Sequence, residues 1–141
     1  AYRYAEWAVP GEDADHPAER HIVAMPRFVG YDLVQCRPYS VPGSFRNLYR
    51  KKDEPGQMVE IIAVPCMDSY TARKLMLREL CGMEAPQAER RDRWNADVGF
   101  VTSSEQGAVQ MVCRGSLFVC ISSMGTGDHD AVLNEAWNSF Q

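Results

Sequence analysis

The sequence lacks the short motifs that mark common catalytic and nucleotide-binding sites. It has no G-x-x-x-x-G-K-S/T phosphate loop, no G-x-G-x-x-G turn and no G-x-S-x-G nucleophile elbow. No two of its five cysteines form a C-x-x-C pair, which removes the main support for a zinc-ribbon or thioredoxin-like protein. Long apolar runs are also missing, and none approaches the roughly 20 residues that a membrane-spanning helix needs. These absences favour a soluble domain without a transmembrane segment.

Basic residues are scarce at both ends of the chain. Residues 1–36 hold three Arg against six acidic residues, and residues 94–141 hold one Arg against five. Residues 37–93 hold eleven basic residues against eight acidic ones, and the net charge is −4. Because contacts to phosphates supply most of a protein's affinity for nucleic acid, this balance predicts no nucleic-acid partner. An unknown partner protein or a small anionic ligand at the basic middle stays open.

Length and composition are those of one folded domain. A chain of 141 residues with 45% hydrophobic and 24% charged residues is ordinary for a globular protein. We expect residues 1–141 to form a single α+β domain. Its N-terminal segment, residues 1–19, is expected to be partly irregular, because Pro10-Gly11 and an acidic, proline-broken run follow its first apolar residues.

One strand–strand–helix pattern occurs twice and predicts most of the fold. The first unit is a hairpin over residues 45–52 and 58–64 and a helix over 69–81; the second is a hairpin over 108–114 and 117–122 and a helix over 128–140. Further strands are expected over residues 2–9, 30–37 and 98–102, and a short charged helix over 86–94. The prediction is a twisted, largely antiparallel β-sheet with two main α-helices packed on it.

The ends of these elements carry matching local signals. Gly115-Ser116 suits a two-residue turn that needs a positive φ at its first position. The resulting register places Cys113 opposite Phe118, and makes Cys113 and Cys120 diagonal neighbours that lie too far apart for a disulfide. Asp68 or Ser69 can cap the first helix, and Asp128 the second.

Candidate catalytic residues are few. Cys66, just before a helix, is the only thiol in a setting that could make it reactive, although a buried, inert thiol is the alternative. His129 lies close in sequence to Ser122 and Ser123, so a Ser–His pair is conceivable, although strand-end serines commonly make local hydrogen bonds.

Candidate ligand-binding residues lie in the basic middle of the chain. Basic residues beside aromatic ones bind anions and peptides, whereas strand-end lysines also serve to prevent edge-to-edge aggregation. The candidates are Tyr49, Arg50, Lys51, Arg73 and Arg78. His16 and His21 are the candidate metal ligands, but H-x-x-x-x-H in an acidic loop is not a recognised spacing. We therefore expect no metal or other cofactor.

Four segments together resemble secreted bacterial α+β domains of unknown function. These are Val59–Val64, Asp68–Arg73, Asp97–Phe100 and Val112–Val119, and the resemblance covers roughly the C-terminal two-thirds of the chain. It implies a strand, a capped helix, a short strand, a hairpin and a closing helix, and it assigns no catalytic residue.

The sequence therefore favours a non-catalytic binding or protein-interaction domain. The chain starts at Ala1, so a processed chain in the cell envelope or outside the cell is expected. Its five cysteines depart from the secreted pattern and keep a cytoplasmic location as the alternative. The alternative function is a small enzyme or ligand carrier with a pocket between sheet and helices, using His129 or Cys66. A homodimer joined through apolar sheet faces is a third hypothesis.

Overall fold

A computed structural model describes residues 28–39, 43–82, 89–90, 98–104, 107–125 and 128–138. The described elements are β1 (Tyr31–Pro38), β2 (Phe45–Lys51), β3 (Met58–Pro65), α1 (Ser69–Gly82), β4 (Glu89–Arg90), β5 (Val98–Ser104), β6 (Gly107–Arg114), β7 (Leu117–Met124) and α2 (His129–Asn138). The strand expected over residues 2–9 and the irregular segment over residues 1–19 lie outside the described residues. None of the helices in the described part of the chain is long and apolar enough to cross a membrane.

The strands form one antiparallel sheet in the order β1-β2-β3-β7-β6-β5-β4. Neighbours along the chain pair with each other, except that β3 pairs with β7 across the centre. The expected α+β class, with a largely antiparallel sheet and two main helices, is therefore confirmed.

The first predicted hairpin is present with the expected strands. Phe45 of β2 faces Ala63 of β3, and the ladder continues to Arg50 and Met58. The loop between the strands is closed by the backbone N–H of Gln57, which donates to the carbonyl of Glu54 at 2.9 Å. A loop of this length fits the Asp53-Glu54-Pro55-Gly56 turn sequence.

Strand β3 lies at the centre of the sheet and is apolar on both sides. Val59, Ile61 and Ala63 are fully buried on one face, and Val64 is buried on the other. Successive residues of a strand point to opposite faces, so a strand covered on both sides carries apolar residues at consecutive positions.

The two helices cover opposite faces of the same strands, β6 and β7. Ala72, Met76 and Leu80 of α1 share a buried cluster with Cys113 and Phe118. A second cluster joins α2 to the other side of these strands; its members include Leu133, Ala136, Trp137, Val112, Val119 and Ile121. We call the two sides of the sheet the α1 face and the α2 face. The repeated units share their element order, but their helices do not occupy equivalent positions.

The hairpin of β6 and β7 has the predicted register. Gly115 has φ 57°, and its two-residue turn places Cys113 opposite Phe118 and Met111 opposite Cys120. Cys113 and Cys120 are free thiols, as expected. A Cβ at φ 57° crowds the backbone, so glycine suits this position best.

The short helix expected over residues 86–94 is corrected by the structure. Glu89 and Arg90, the part of this segment that is described, form strand β4 and pair with Val101 and Phe100 of β5. The open edge of β5 offers backbone hydrogen bonds to an extended chain, and such tertiary pairing overrides local helix propensity.

Candidate functional site

Strand β1 forms one edge of the described sheet, and most of it is exposed. Its described neighbour is β2, and Tyr31 is its one buried residue among eight. Leu33 is 49% exposed and Val34 is 45% exposed, which leaves two large apolar side chains in solvent. An edge strand directs backbone N–H and C=O groups outward, where they can pair with another extended chain. Strand β1 therefore presents outward-directed backbone groups and two exposed apolar side chains at one edge of the described sheet.

The pairing of β1 with β2 contains one irregularity. Leu33 faces Tyr49, and the register resumes with Gln35 facing Leu48, so Val34 has no residue opposite it. A β-bulge of this kind increases twist and redirects side chains at a sheet edge. It leaves Val34, which follows Leu33 in the chain, as the extra residue at the middle of the strand.

The register sorts the side chains of β1 and β2 onto two chemically different faces. Residues opposite each other on paired strands point to the same face. Arg46 and Arg50 lie opposite Arg37 and Asp32, on the α1 face. Leu33 lies opposite the buried Tyr49 of the α2-face cluster. The edge of the sheet is therefore charged on one face and apolar on the other.

Three ion pairs neutralise part of the charge around β2. They are Arg46 with Glu60 (Nε to Oε2, 2.9 Å), Lys52 with Asp32 (Nζ to Oδ1, 3.7 Å) and Lys51 with Glu54 (Nζ to Oε1, 3.5 Å). Arg37 and Arg50 are exposed and form no ion pair within the described residues. The guanidinium of Arg37 lies against the side-chain amide of Gln35, whose oxygen accepts a hydrogen bond from Nε at 3.1 Å in the amide orientation that satisfies both groups. Because this amide is neutral, it leaves the charge of Arg37 uncompensated within the described residues.

The predicted anion site at Tyr49, Arg50 and Lys51 is not assembled as one cluster. Tyr49 is buried on the α2 face, where its hydroxyl accepts a hydrogen bond from Nδ2 of Asn47 at 3.1 Å. Burial raises the pKa of Tyr49, and the hydrogen bond from Asn47 partly offsets this rise. Arg50 is next to Tyr49 in the strand and therefore points to the α1 face. Lys51 is held in its ion pair with Glu54.

The two predicted arginines on α1 lie away from this edge. Helix α1 packs on β6 and β7, and β3 separates β7 from β2. Arg73 is half-buried, and Nη2 of the exposed Arg78 lies 3.8 Å from Oε1 of Glu79. Arg73 and Arg78 therefore do not extend the charged face of β1 and β2.

His129, the other candidate catalytic residue, is half-buried and forms a polar cluster with the buried Ser123 and Gln57. Nδ1 of His129 lies 2.7 Å from Oγ of Ser123, and Nε2 of Gln57 donates to the same oxygen at 2.9 Å. The cluster joins the start of β3, the end of β7 and the first turn of α2. Asp128 caps that turn, because its Oδ1 accepts the N–H of Ala131 at 3.3 Å.

The cluster has the hydrogen bond between a nucleophile and its base, but it lacks access for a substrate. A hydrogen-bonded Ser–His pair is the first element of serine catalysis. However, Ser123 is 1% exposed and Gln57 is 1% exposed, so a substrate carbonyl cannot reach Oγ in this conformation. The arrangement instead satisfies buried polar atoms where three elements meet.

Cys66 lies in a setting that suppresses its reactivity. Its side chain is buried, and Sγ lies 3.6 Å from the carbonyl of Val64. Burial, followed by the charge of Asp68, raises the pKa of Cys66 to about 11. The thiolate is the nucleophilic form, so the thiol of Cys66 is a weak nucleophile at neutral pH.

The candidate metal ligands His16 and His21 lie outside the described residues. Within the part of the chain that the structure describes, no three His, Cys, Asp or Glu side chains converge as a metal ion requires.

The residues that distinguish the β1 edge were not singled out from the sequence. Leu33, Val34 and Arg37 belong to a strand that was predicted, but its place at the edge depends on pairing with residues elsewhere in the chain. The available signal was the mixture of apolar and charged residues in Tyr31–Pro38, which is typical of an exposed edge. Gln57 immediately precedes the strand predicted over residues 58–64, and no local pattern marks it as a polar partner of β7.

Comparison with protein-family models, with curated proteins and with solved structures found no match. The resemblance to secreted bacterial domains therefore stays a prediction.

Proposed function

We propose that this domain is a non-catalytic protein-interaction module that binds an extended segment of a partner protein along β1. The observation that carries the proposal is an eight-residue edge strand with seven exposed residues, two of them the apolar Leu33 and Val34. A partner strand added there gains backbone hydrogen bonds from the edge and burial of these side chains.

The expected affinity is modest. Every second residue of an edge strand directs its N–H and C=O outward, and each new hydrogen bond contributes about 0.5–1.5 kcal/mol net. The entropy lost when the partner becomes ordered offsets much of this gain. Binding is therefore expected in the micromolar range, where a tenfold change in Kd corresponds to about 1.4 kcal/mol.

The proposal is tested by selecting binders from a random peptide library and mapping them by amide hydrogen exchange. Selected peptides are expected to protect the amides of Tyr31–Pro38. The substitution Leu33→Glu is expected to weaken binding at least tenfold, because it places a charge against the apolar part of the docked strand. Met67→Glu is the matched control, since Met67 is 69% exposed and precedes α1 rather than belonging to β1.

Two results would overturn the proposal. Selected peptides that protect only α1, α2 or loop residues would place binding elsewhere. Concentration-dependent self-association that protects Tyr31–Pro38 and is abolished by Leu33→Glu would show that the edge is occupied by a second copy of this chain, and the homodimer would replace the partner protein.

A further inference from the structure

We infer that the segment bound by β1 alternates apolar and acidic side chains, with a carboxylate placed against Arg37. This inference rests on the proposed docking along β1. It adds the chemistry of the partner, which follows from the different character of the two faces at this edge.

A docked strand must present different side chains to the two faces. Its successive residues point alternately to the α1 face and the α2 face, as in any strand of the sheet. On the α2 face the side chain of β1 that lies opposite the buried Tyr49 is the exposed Leu33. Every second residue of the partner is therefore expected to be apolar, because a polar residue there would lose water without gaining a partner.

The α1 face of the same edge has an excess of positive charge. Its cations are Arg37, Arg46, Arg50 and Lys52, and its carboxylates are Asp32 and Glu60. Four cations against two carboxylates leave an excess of two positive charges. The ion pairs of Arg46 and Lys52 account for both carboxylates, so Arg37 and Arg50 supply this excess.

Distance makes Arg37 the principal recognition residue. Arg37 is on β1 itself, so a residue of the docked strand can lie directly opposite it, with Cβ atoms about 4.5–5.5 Å apart. Arg50 is one strand further, roughly 10 Å from the docked strand, where salt screens most of its charge. Asp32, near the other end of β1, is already paired with Lys52, so it opposes a carboxylate of the docked strand less than Arg37 attracts one. Arg37 therefore favours registers that place a carboxylate opposite it.

The partner is a protein segment rather than a nucleic acid. An excess of two positive charges on a chain of net charge −4 does not neutralise the phosphates that a bound nucleic acid presents. A strand edge also selects an extended peptide backbone, since its N–H and C=O groups repeat at the spacing of another strand.

Three synthetic peptides test the inference on the full chain. One alternates Glu with Val, one alternates Lys with Val, and one has the composition of the first but groups its Glu and Val residues in separate blocks. The Glu–Val alternating peptide is expected to bind about fivefold to tenfold more tightly than either of the others, with protection of the Tyr31–Pro38 amides. Raising the salt concentration is expected to reduce this preference.

Charge reversal gives the matched variants. Arg37→Glu is expected to abolish the preference for Glu over Lys, whereas Arg114→Glu, at an exposed residue that ends β6, is expected to leave it unchanged. Equal binding of all three peptides with protection of β1 would overturn the inferred chemistry and leave docking at the edge intact. Binding of the acidic peptide without protection of β1 would overturn both the inferred chemistry and docking at the edge. Both would also be overturned if none of the three peptides bound and no peptide selected from the random library protected β1.

Discussion

Burial decides the chemistry of the four cysteines whose side chains the structure describes. Cys36 lies exposed on β1, whereas Cys66 and Cys113 are buried. Cys120 is half-buried as a residue, but desolvation of its thiol, followed by the charges of Glu60 and Glu79, raises its pKa to about 12. The flanking residues set Cys36 apart, because its neighbours are Gln35 and Arg37, whereas Pro65 and Met67 flank the buried Cys66.

Alkylation at pH 7 is expected to modify Cys36 first and to leave Cys66 unmodified in the folded protein. The pKa of Cys66 is raised to about 11, so almost all of this residue is in the unreactive thiol form at neutral pH. Burial also prevents iodoacetamide from reaching its sulfur. Peptide mapping after a timed iodoacetamide pulse measures the order. Rapid modification of Cys66 in native protein would contradict this environment and would support the enzyme hypothesis that uses Cys66.

At the level of elements, the first turn of α1 depends on one carboxylate. Oδ1 of Asp68 accepts the backbone N–H of Thr71 at 2.7 Å and its hydroxyl at 2.7 Å. These hydrogen bonds lower the pKa of Asp68. A capping carboxylate satisfies N–H groups that have no partner within the helix and also interacts favourably with the helix dipole.

The substitution Asp68→Ala is expected to lower the melting temperature by a few degrees, since it leaves this first turn without its cap. Asp68→Asn is expected to retain most of the stability, because an amide oxygen still accepts the hydrogen bond. Asp53→Ala, in the loop between β2 and β3, is the control and is expected to change little. Thermal unfolding followed by circular dichroism measures all three.

The sign of the pH dependence follows from the lowered pKa of Asp68. The contribution of the Asp68 carboxylate to the free energy of unfolding is fully present at pH values above the pKa of an unfolded Asp. It is lost as the pH falls through the lowered pKa of Asp68 in the folded protein. The difference between wild type and Asp68→Ala is therefore expected to shrink in acid. A difference that grows as the pH falls would contradict the capping role.

At the scale of the whole molecule, the cluster of Gln57, Ser123 and His129 joins segments far apart in sequence. Gln57 and Ser123 are separated by 66 residues, yet their side chains are hydrogen-bonded at the central strand pair. Gly125 keeps this junction closed, because a Cβ there would lie 2.5 Å from the carbonyl oxygen of Gly56. The first turn of α2 is thereby held against the ends of β3 and β7.

Replacing Ser123 with Ala is expected to destabilise the protein by about 1–3 kcal/mol, because it removes the shared hydrogen-bond partner of two other side chains. A double-mutant cycle with His129→Ala is expected to show coupling, since both changes break the same 2.7 Å contact. Urea unfolding measures these free energies of unfolding.

The wild-type protein is expected to resist labelling by a fluorophosphonate probe. Labelling of the wild type that Ser123→Ala abolishes would instead support serine catalysis.

The local structure of this protein was determined by its sequence to a large extent. The turn at Gly115, the cap at Asp68 and the buried stripe of Leu133, Ala136 and Trp137 all depend on residues close together in the chain. The turn follows from the φ preference of glycine, the cap from a hydrogen bond between residues three apart, and the stripe from the period of the helix. Residues close together in the chain are therefore enough to predict all three.

Only the tertiary structure decided which surfaces meet and which stay open. The pairing of β3 with β7 leaves β1 at an edge of the described sheet and brings Gln57 to Ser123. It also lets the two helices cover opposite faces of β6 and β7, and the open edge of β5 draws residues 89–90 into a strand. These outcomes depend on competition among distant apolar faces and backbone edges, so the local sequence carries only a weak signal of them, such as the mixed apolar and charged residues of β1.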